Sequence, residues 1–168
     1  IKVAGAFDID AARLKTFCEY WNVEATDSLA GLLAHDALVL NLTNPRAHYE
    51  VSKAALDAGR HVYSEKPLAV SMPDAHALAK LARDNNLMLA SAPCNWLSQS
   101  AQTVWKAISK GEIGTPRLVY AELDDDFIPQ APYEKWLSES GAPWPAKDEF
   151  ETGCTLEHAG YYLTWLMA

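Results

Sequence analysis

The chain has 168 residues, of which 49% are hydrophobic and 21% charged, a balance that is typical of a globular domain and not of a disordered or fibrous chain. A net charge of -8 with 14 scattered Lys and Arg residues argues against a nucleic-acid partner, because phosphate binding needs clustered cations. No apolar run approaches the roughly 20 residues of a membrane span, so we expect no membrane partner either.

The three cysteines, Cys18, Cys94 and Cys154, lie far apart and lack CxxC spacing. This pattern indicates neither a disulfide framework nor a zinc site, so we predict no bound metal and a reducing, cytoplasmic location. Both ends of the chain fall inside apolar patterns and the first residue is not Met, which we interpret as a piece of a longer protein. An export signal could therefore lie upstream.

Strand patterns alternate with helix patterns over the first two thirds of the chain. Strands are predicted at residues 2 to 7, 37 to 42, 61 to 64 and 87 to 92. Helices are predicted at about 47 to 58, from 72 onward and at about 99 to 109, and a first helix is predicted after Asp10 with the apolar face Leu14, Phe17, Cys18 and Trp21. Ser71 is expected to cap the helix from 72 onward, and Asp27 with Ser28 a short additional one. The alternation predicts an α/β fold with a doubly wound, Rossmann-like parallel sheet covered on both faces.

The pattern changes after about residue 110. The stretch GEIGTPRLVYAELD, residues 111 to 124, has the turn residues and partial alternation of a strand that enters a second, different sheet. Residues 124 to 152 are rich in Pro, Trp and acids without a clear period, which predicts a long ordered loop, and a helix is expected from about Cys154.

Polar residues follow directly after each of four predicted strands, where doubly wound folds bind their ligands. They are Asp8, Thr43 with Asn44, Glu65 with Lys66, and Asn95. An acid in the place of Asp8 can bind both adenosine ribose hydroxyls and would repel a 2'-phosphate, which favours NAD over NADP. The alternative is that Asp8 or Asp10 caps the following helix.

The phosphate-binding fingerprint GxGxxG is absent from the eight glycines of the chain. That loop ordinarily lies roughly 20 residues before the acidic residue, and only seven residues precede Asp8. We therefore expect the fingerprint upstream of the first residue.

The stretch AALDAGRHVYSEKPLAVSMPDAHALAKLA, residues 54 to 82, resembles the signature region of the glucose-fructose oxidoreductase, inositol dehydrogenase and MocA family. The hallmark of that family is Glu-Lys-Pro after a strand, preceded by Ala-Gly-x-His-Val. The resemblance implies an NAD(P)-dependent oxidoreductase, often a homo-oligomer, that acts on sugars, cyclitols or related polyols. It also implies that residues 1 to 110 are a partial dinucleotide-binding domain and residues 111 to 168 the start of an α+β substrate domain.

The resemblance implies roles for several residues. Lys66 matches the family lysine between the nicotinamide ribose and the substrate hydroxyl, while Glu65 would orient Lys66 and touch the ribose. Thr43, Asn44 and Asn95 are also expected to bind the cofactor. Pro67 would fix the aim of Lys66, through a cis peptide bond.

On the later helix, Glu157 stands for the family Asp and Tyr161 for the family His, and positions four apart share a helix face. A phenol can pass a proton when a cation such as Lys66 makes it more acidic. The predicted catalytic residues are therefore Lys66, Tyr161 and Glu157. A further family Asp is Thr164 here, which removes one polar group.

Other residues have plainer interpretations. His158 is expected to face away from Glu157, and His48 to anchor the turn after Asn44. The aromatic residues of the long loop are expected to pack it down, and residues 124 to 126 to form a solvated acidic strand end.

Three other functions stay open from the sequence. One is a glycoside hydrolase that oxidises its sugar transiently with NAD, and another is a non-catalytic regulator that binds cofactor or sugar. A pyridoxal phosphate Schiff base at Lys66 has only the lysine to support it.

Overall fold

The computed structural model describes residues 2–122 and 127–167, and its described strands form one parallel sheet. Strand β1 is Val39–Asn41, β2 is Val62–Ser64 and β3 is Leu89–Ser91, and they lie in the order β1-β2-β3. In the register, Val39 lies beside Val62, and Val62 beside Leu89. The three strands coincide with the centres of three predicted strands and confirm the parallel α/β sheet.

Four of the described helices begin at a side chain that caps their first turn. In chain order the described part contains α1 (Ala11–Trp21), α2 (Leu29–Leu33), α3 (His48–Asp57), α4 (Met72–Asp84), α5 (Gln99–Ser109), α6 (Ala146–Thr152), α7 (Cys154–His158) and α8 (Gly160–Met167). The Asp10 side chain accepts hydrogen bonds from the backbone at the start of α1, and Ser28, Ser71 and Ser98 do the same for α2, α4 and α5. Helix α3 ends before Gly59, whose φ of 75° is a left-handed conformation that glycine adopts without strain.

The hydrophobic core lies between the sheet and helices α2, α3 and α4. Its buried members are Leu33, Val39, Ala55, Leu56, Val62, Leu78 and Ala82. Strand side chains alternate between the two faces, so Val39 and Asn41 are buried while Leu40 is 57% exposed. Among the described residues, helices α2, α3 and α4 pack on the face of β1 that carries Val39 and Asn41.

Two predicted strands do not form within the described residues. Residues 2 to 7 make only a single bridge, in which the backbone of Ala6 bonds to Glu24 and Thr26. Residues 115 to 122 are irregular and exposed, with Leu118 at 87%. A strand needs a neighbouring backbone that satisfies its polar groups, and no described segment provides one beside residues 115 to 122.

The predicted loop of residues 124 to 152 is partly helical. Helix α6 occupies its last seven residues, and residues 124 to 126, the predicted acidic strand end, lie outside the described part of the chain. The aromatic residues of this segment contact one another edge to face, with ring centroids 5.1 Å apart for Tyr133 and Phe150 and 5.2 Å apart for Trp136 and Trp144. The prediction that these rings pack the loop down is confirmed.

Candidate active site

The carboxyl end of β1 is organised by Asn41, a buried side chain that the sequence analysis missed. Its amide donates to the carbonyl oxygen of His48 and to Ser52 Oγ, at 3.0 and 2.9 Å. Its Oδ1 accepts from Thr43 Oγ1 at 2.7 Å. Asn41 thereby fixes Thr43 against the first turn of α3, at the sheet edge where doubly wound folds bind ligands.

His48 joins the loops that follow β1 and β2. The ring is buried, and its Nε2 and Nδ1 lie 2.7 Å from the carbonyl oxygens of Thr43 and Pro67 respectively. The prediction that His48 anchors the turn is confirmed, and the contact with Pro67 extends that role to the segment carrying Lys66.

Lys66 lies two residues after the end of β2, and hydrogen bonds of Glu65 fix the position of its backbone. The Glu65 amide donates to the Asn41 carbonyl at 2.8 Å, and the Lys66 amide donates to Glu65 Oε2 at 2.9 Å. The Lys66-Pro67 peptide bond is cis, as the resemblance implied. Glu65 therefore orients the backbone of Lys66, while other residues orient its ammonium.

The ammonium of Lys66 lies among carboxylates from the later helices. It forms an ion pair with Glu157 Oε1 on α7 and lies 3.9 Å from Glu149 Oε2 on α6. All three side chains are largely buried, with 16% of Lys66, 7% of Glu157 and 12% of Glu149 exposed. Burying charges is costly, and this grouping offsets the cost by pairing opposite signs.

His158 contributes to the same cluster, so the prediction that it faces away from Glu157 is wrong. Its Nδ1 pairs with Glu157 Oε2, the oxygen that Lys66 does not use. Glu157 and His158 both lie on α7, so the rotation of about 100° between adjacent helical positions does not keep the Glu157 carboxylate from the His158 ring. Glu157 thus links a lysine and a histidine.

Tyr161 joins the cluster from the start of α8. Lys66 Nζ lies 5.9 Å from the centroid of its ring, within the range of a cation-π contact, and the His158 ring is also 5.9 Å away. The structure brings the three predicted catalytic residues, Lys66, Glu157 and Tyr161, together at one place.

Glu149 is a member of this cluster that the sequence analysis missed. Its Oε2 is buried and has no hydrogen-bond partner within the described residues. Burial raises the pKa of the Glu149 carboxyl above its ordinary value, although the positive charge of Lys66 acts in the opposite direction. Asp148 and Glu151 flank it in the sequence, and no local pattern distinguished the three acids.

Most of the predicted cofactor-binding residues have defined hydrogen-bond partners within the protein. Asp8 accepts two hydrogen bonds from the Arg13 guanidinium, at 2.6 and 2.8 Å, and this contact lowers the pKa of the Asp8 carboxyl. Asp10, rather than Asp8, caps α1. Asn44 donates to Asp148 at 2.5 Å, and Asn95 donates to the Tyr161 carbonyl at 2.5 Å and accepts from Thr164. Asn95 therefore also fastens α8 to the sheet edge.

The chemistry of this edge fits a nicotinamide dinucleotide. Thr43, Asn44 and Glu65 provide hydroxyl, amide and carboxylate groups suited to ribose hydroxyls, at the carboxyl ends of adjacent parallel strands. The hydroxyl of Ser64, at the end of β2, is buried with no partner among the described residues. Among the helices described, none combines the length and apolarity needed to cross a bilayer.

Comparison with known proteins agrees with this arrangement. Residues 1–92 match the model of the oxidoreductase family with an NAD-binding Rossmann fold. The chain belongs to this family. Both the family resemblance and the Rossmann fold predicted from the sequence are thereby confirmed.

Several relatives are similar to the chain over a longer stretch than residues 1–92. The chain is 29% identical to UDP-N-acetylglucosamine 3-dehydrogenase of Acidithiobacillus ferrooxidans over 130 residues, a stretch that covers 77% of the chain and 40% of that enzyme. It is 26% identical over 165 residues to inositol 2-dehydrogenase of Salmonella paratyphi B, covering 90% of the chain and 49% of that enzyme. A solved structure of the Acidithiobacillus enzyme matches 62% of the chain and 34% of its own length, with a TM-score of 0.60 and 30% identity. The chain thus spans less than half the length of these relatives.

Proposed function

We propose that the protein is a nicotinamide-dependent oxidoreductase that transfers a hydride between a secondary alcohol of a sugar, cyclitol or related polyol and the cofactor. The observation that supports this most is the position of Lys66. Its ammonium, held among buried carboxylates, lies after β2 at the edge where folds of this kind bind dinucleotides. Two of the relatives are named as dehydrogenases of a sugar nucleotide and of inositol.

The proposed roles follow from charge and position. When bound, the nicotinamide would supply the hydride acceptor. The ammonium of Lys66 donates a hydrogen bond to the substrate oxygen, which stabilises the negative charge that develops there as the C–H bond breaks. Glu157 holds the ammonium in place, and Tyr161 lies beside it to contact the same hydroxyl or pass its proton.

We propose NAD as the preferred cofactor, with Thr43, Asn44, Glu65, Lys66 and Asn95 on its nicotinamide side. The Asp8 carboxylate supports this preference, because it can accept from both adenosine ribose hydroxyls and would repel the 2'-phosphate of NADP. Arg13 holds that carboxylate in its charged form.

We also propose that the protein is cytoplasmic and a homo-oligomer, with its domains divided near residue 110. The three cysteines are free thiols, as expected for a reducing compartment. Residues 118 to 120 carry exposed apolar side chains that a second copy could cover. Light scattering coupled to size exclusion would report the assembly, and a monomer at micromolar concentration would contradict it.

The experiment is reduction of NAD by the protein expressed from its complete coding sequence. Absorbance at 340 nm is followed with a panel of sugars, sugar nucleotides and cyclitols. For a substrate found in this way, Lys66→Met should lower kcat/KM by about 100-fold or more, while its far-UV circular dichroism shows that it is folded. The matched control Lys80→Met removes an exposed lysine of α4 and should leave the rate unchanged.

Two outcomes would contradict the proposal. Undiminished activity of Lys66→Met would exclude its role at the reacting oxygen. Release of a sugar from a glycoside without net NADH would favour the transiently oxidising hydrolase instead.

A further inference from the structure

Glu149 has an unused hydrogen-bonding atom at the centre of the cluster. Its Oε2 is closed to water, has no hydrogen-bond partner within the described residues and lies 3.9 Å from Lys66 Nζ. A buried carboxylate without full hydrogen bonding is destabilising. Such an atom points to an interaction made during function.

The position of Glu149 is set by contacts on either side of it. Asp148 accepts from Asn44, and Glu151 forms an ion pair with Arg46 at 2.5 Å, so α6 is fastened to the loop after β1. Phe150 packs edge to face on the loop aromatics. These contacts leave Glu149 as the acid of α6 that is directed at Lys66.

Oxidation of an alcohol releases a proton, and the cluster offers few groups that can take it. Lys66 is ion-paired as an ammonium and can accept a proton only while passing one on. Glu157 uses one oxygen for Lys66 and the other for His158. Glu149 Oε2 is the unused carboxylate oxygen beside the ammonium.

We propose, on the basis of the function proposed above, that Glu149 is the final acceptor of the substrate proton, which reaches it through Lys66. The hydroxyl proton moves to Lys66 Nζ as a different N–H proton of Lys66 moves to Glu149 Oε2. The C–H hydrogen leaves with its electron pair to the nicotinamide, and the oxygen electrons form the carbonyl. Lys66 ends unchanged, Glu149 ends as a neutral acid, and the alcohol becomes a ketone.

The geometry requires only a small movement. The 3.9 Å separation exceeds a hydrogen bond by about 1 Å, which a lysine side chain can close by rotation. The charged or titratable groups that face Glu149 are Lys66, His48, Glu65 and His158. Burial raises the pKa of the Glu149 carboxyl, and a weaker acid is better matched to proton exchange near neutral pH.

The kinetic test compares kcat and KM of the wild type and Glu149→Gln from pH 5 to 9, in the direction of alcohol oxidation. We expect Glu149→Gln to lower kcat by about 100-fold, with KM changed much less, and to remove the acidic limb of the pH profile. Glu149→Asp should recover part of the rate. Glu134→Gln, an exposed acid of the same segment, serves as the control and should behave as wild type.

A second readout does not depend on turnover. The carboxyl carbon of Glu149 is titrated by ¹³C NMR in protein labelled at Glu, and Glu149→Gln identifies its resonance. We expect a midpoint above that of an exposed Glu, and a further rise in Lys66→Met, which lacks the opposing charge. A midpoint typical of exposed Glu that does not respond to Lys66→Met would overturn the proposal.

The two proposals fail in different ways. Wild-type kcat and pH profile in Glu149→Gln would overturn the role of Glu149 alone and leave the oxidoreductase intact. A wild type that reduces no nicotinamide with any polyol would overturn both.

Discussion

Replacing Lys66 by Met removes the cation that pairs with the buried carboxylate of Glu157. Glu157 is 6% exposed, and removal of one partner from a buried ion pair costs about 3–5 kcal/mol. Because His158 still contacts the other oxygen of Glu157, we expect the lower end of that range, about 3 kcal/mol of unfolding free energy. Glu157→Gln leaves Lys66 with Glu149 at 3.9 Å, so its cost should be smaller, about 2 kcal/mol.

The double variant Lys66→Met/Glu157→Gln distinguishes a true pair from two independent sites. With both charges gone, neither is left unpaired, so the double variant should be more stable than the sum of the singles predicts, by about 1–3 kcal/mol. Urea unfolding at pH 7, followed by circular dichroism, measures all four proteins. Lys80→Met breaks the exposed pair with Asp84 and should cost less than about 1 kcal/mol.

Additive effects in that cycle would refute the reasoning. If the two single variants each lose less than about 1 kcal/mol and the double variant loses their sum, the charges are solvated separately. The site would then lack the buried ion pair on which the role of Lys66 depends.

Three further predictions concern the core, the cofactor and the acid of α6. Leu78→Ala, at a fully buried position, should lower the free energy of unfolding by about 2–5 kcal/mol in urea titrations, whereas a loss below about 1 kcal/mol would mean that the core is not packed there. Asp8→Ser frees Arg13 to meet a 2'-phosphate, so the ratio of kcat/KM for NAD to that for NADP should fall by about 10-fold or more, and an unchanged ratio would contradict the role of Asp8. Glu149→Gln should raise the melting temperature at pH 7. Folding raises the pKa of Glu149 above its ordinary 4.5, so the wild type loses stability as the pH rises above that value. The melting temperature of Glu149→Gln should therefore exceed that of the wild type at pH 7 and equal it below pH 4.5. An equal difference in melting temperature at all pH values would exclude titration of Glu149 as its cause.

Local signals in the sequence predicted the three strands of the sheet, the start of several helices and the position of Lys66 at the carboxyl edge of the sheet. The apolar runs predicted β1, β2 and β3, and a capping serine or aspartate marked the start of three helices, α1, α2 and α4. Lys66 was predicted because Glu-Lys-Pro after a strand resembles a known signature. Each of these signals depends on residues that are close together in the chain.

Contacts between distant residues were beyond that reasoning. Glu149 meets Lys66 across more than eighty residues, and one of three neighbouring acids cannot be selected without knowing how α6 is fastened. The contact between His158 and Glu157 was missed because the angle between adjacent helical positions does not determine where two long side chains meet. The alternating pattern after Gly114 resembled a strand, but strands form only where another backbone pairs with them.

Hydride transfer itself is tested most directly with a substrate that carries deuterium on the carbinol carbon. The wild-type protein is incubated with NAD and the labelled polyol, and the reduced cofactor is analysed by mass spectrometry and proton NMR. We expect one deuterium on the nicotinamide ring for each ketone formed, and at least 100-fold slower labelling with Lys66→Met. Ketone formation with an unlabelled nicotinamide, or equal labelling by Lys66→Met, would contradict an oxidoreductase site centred on Lys66.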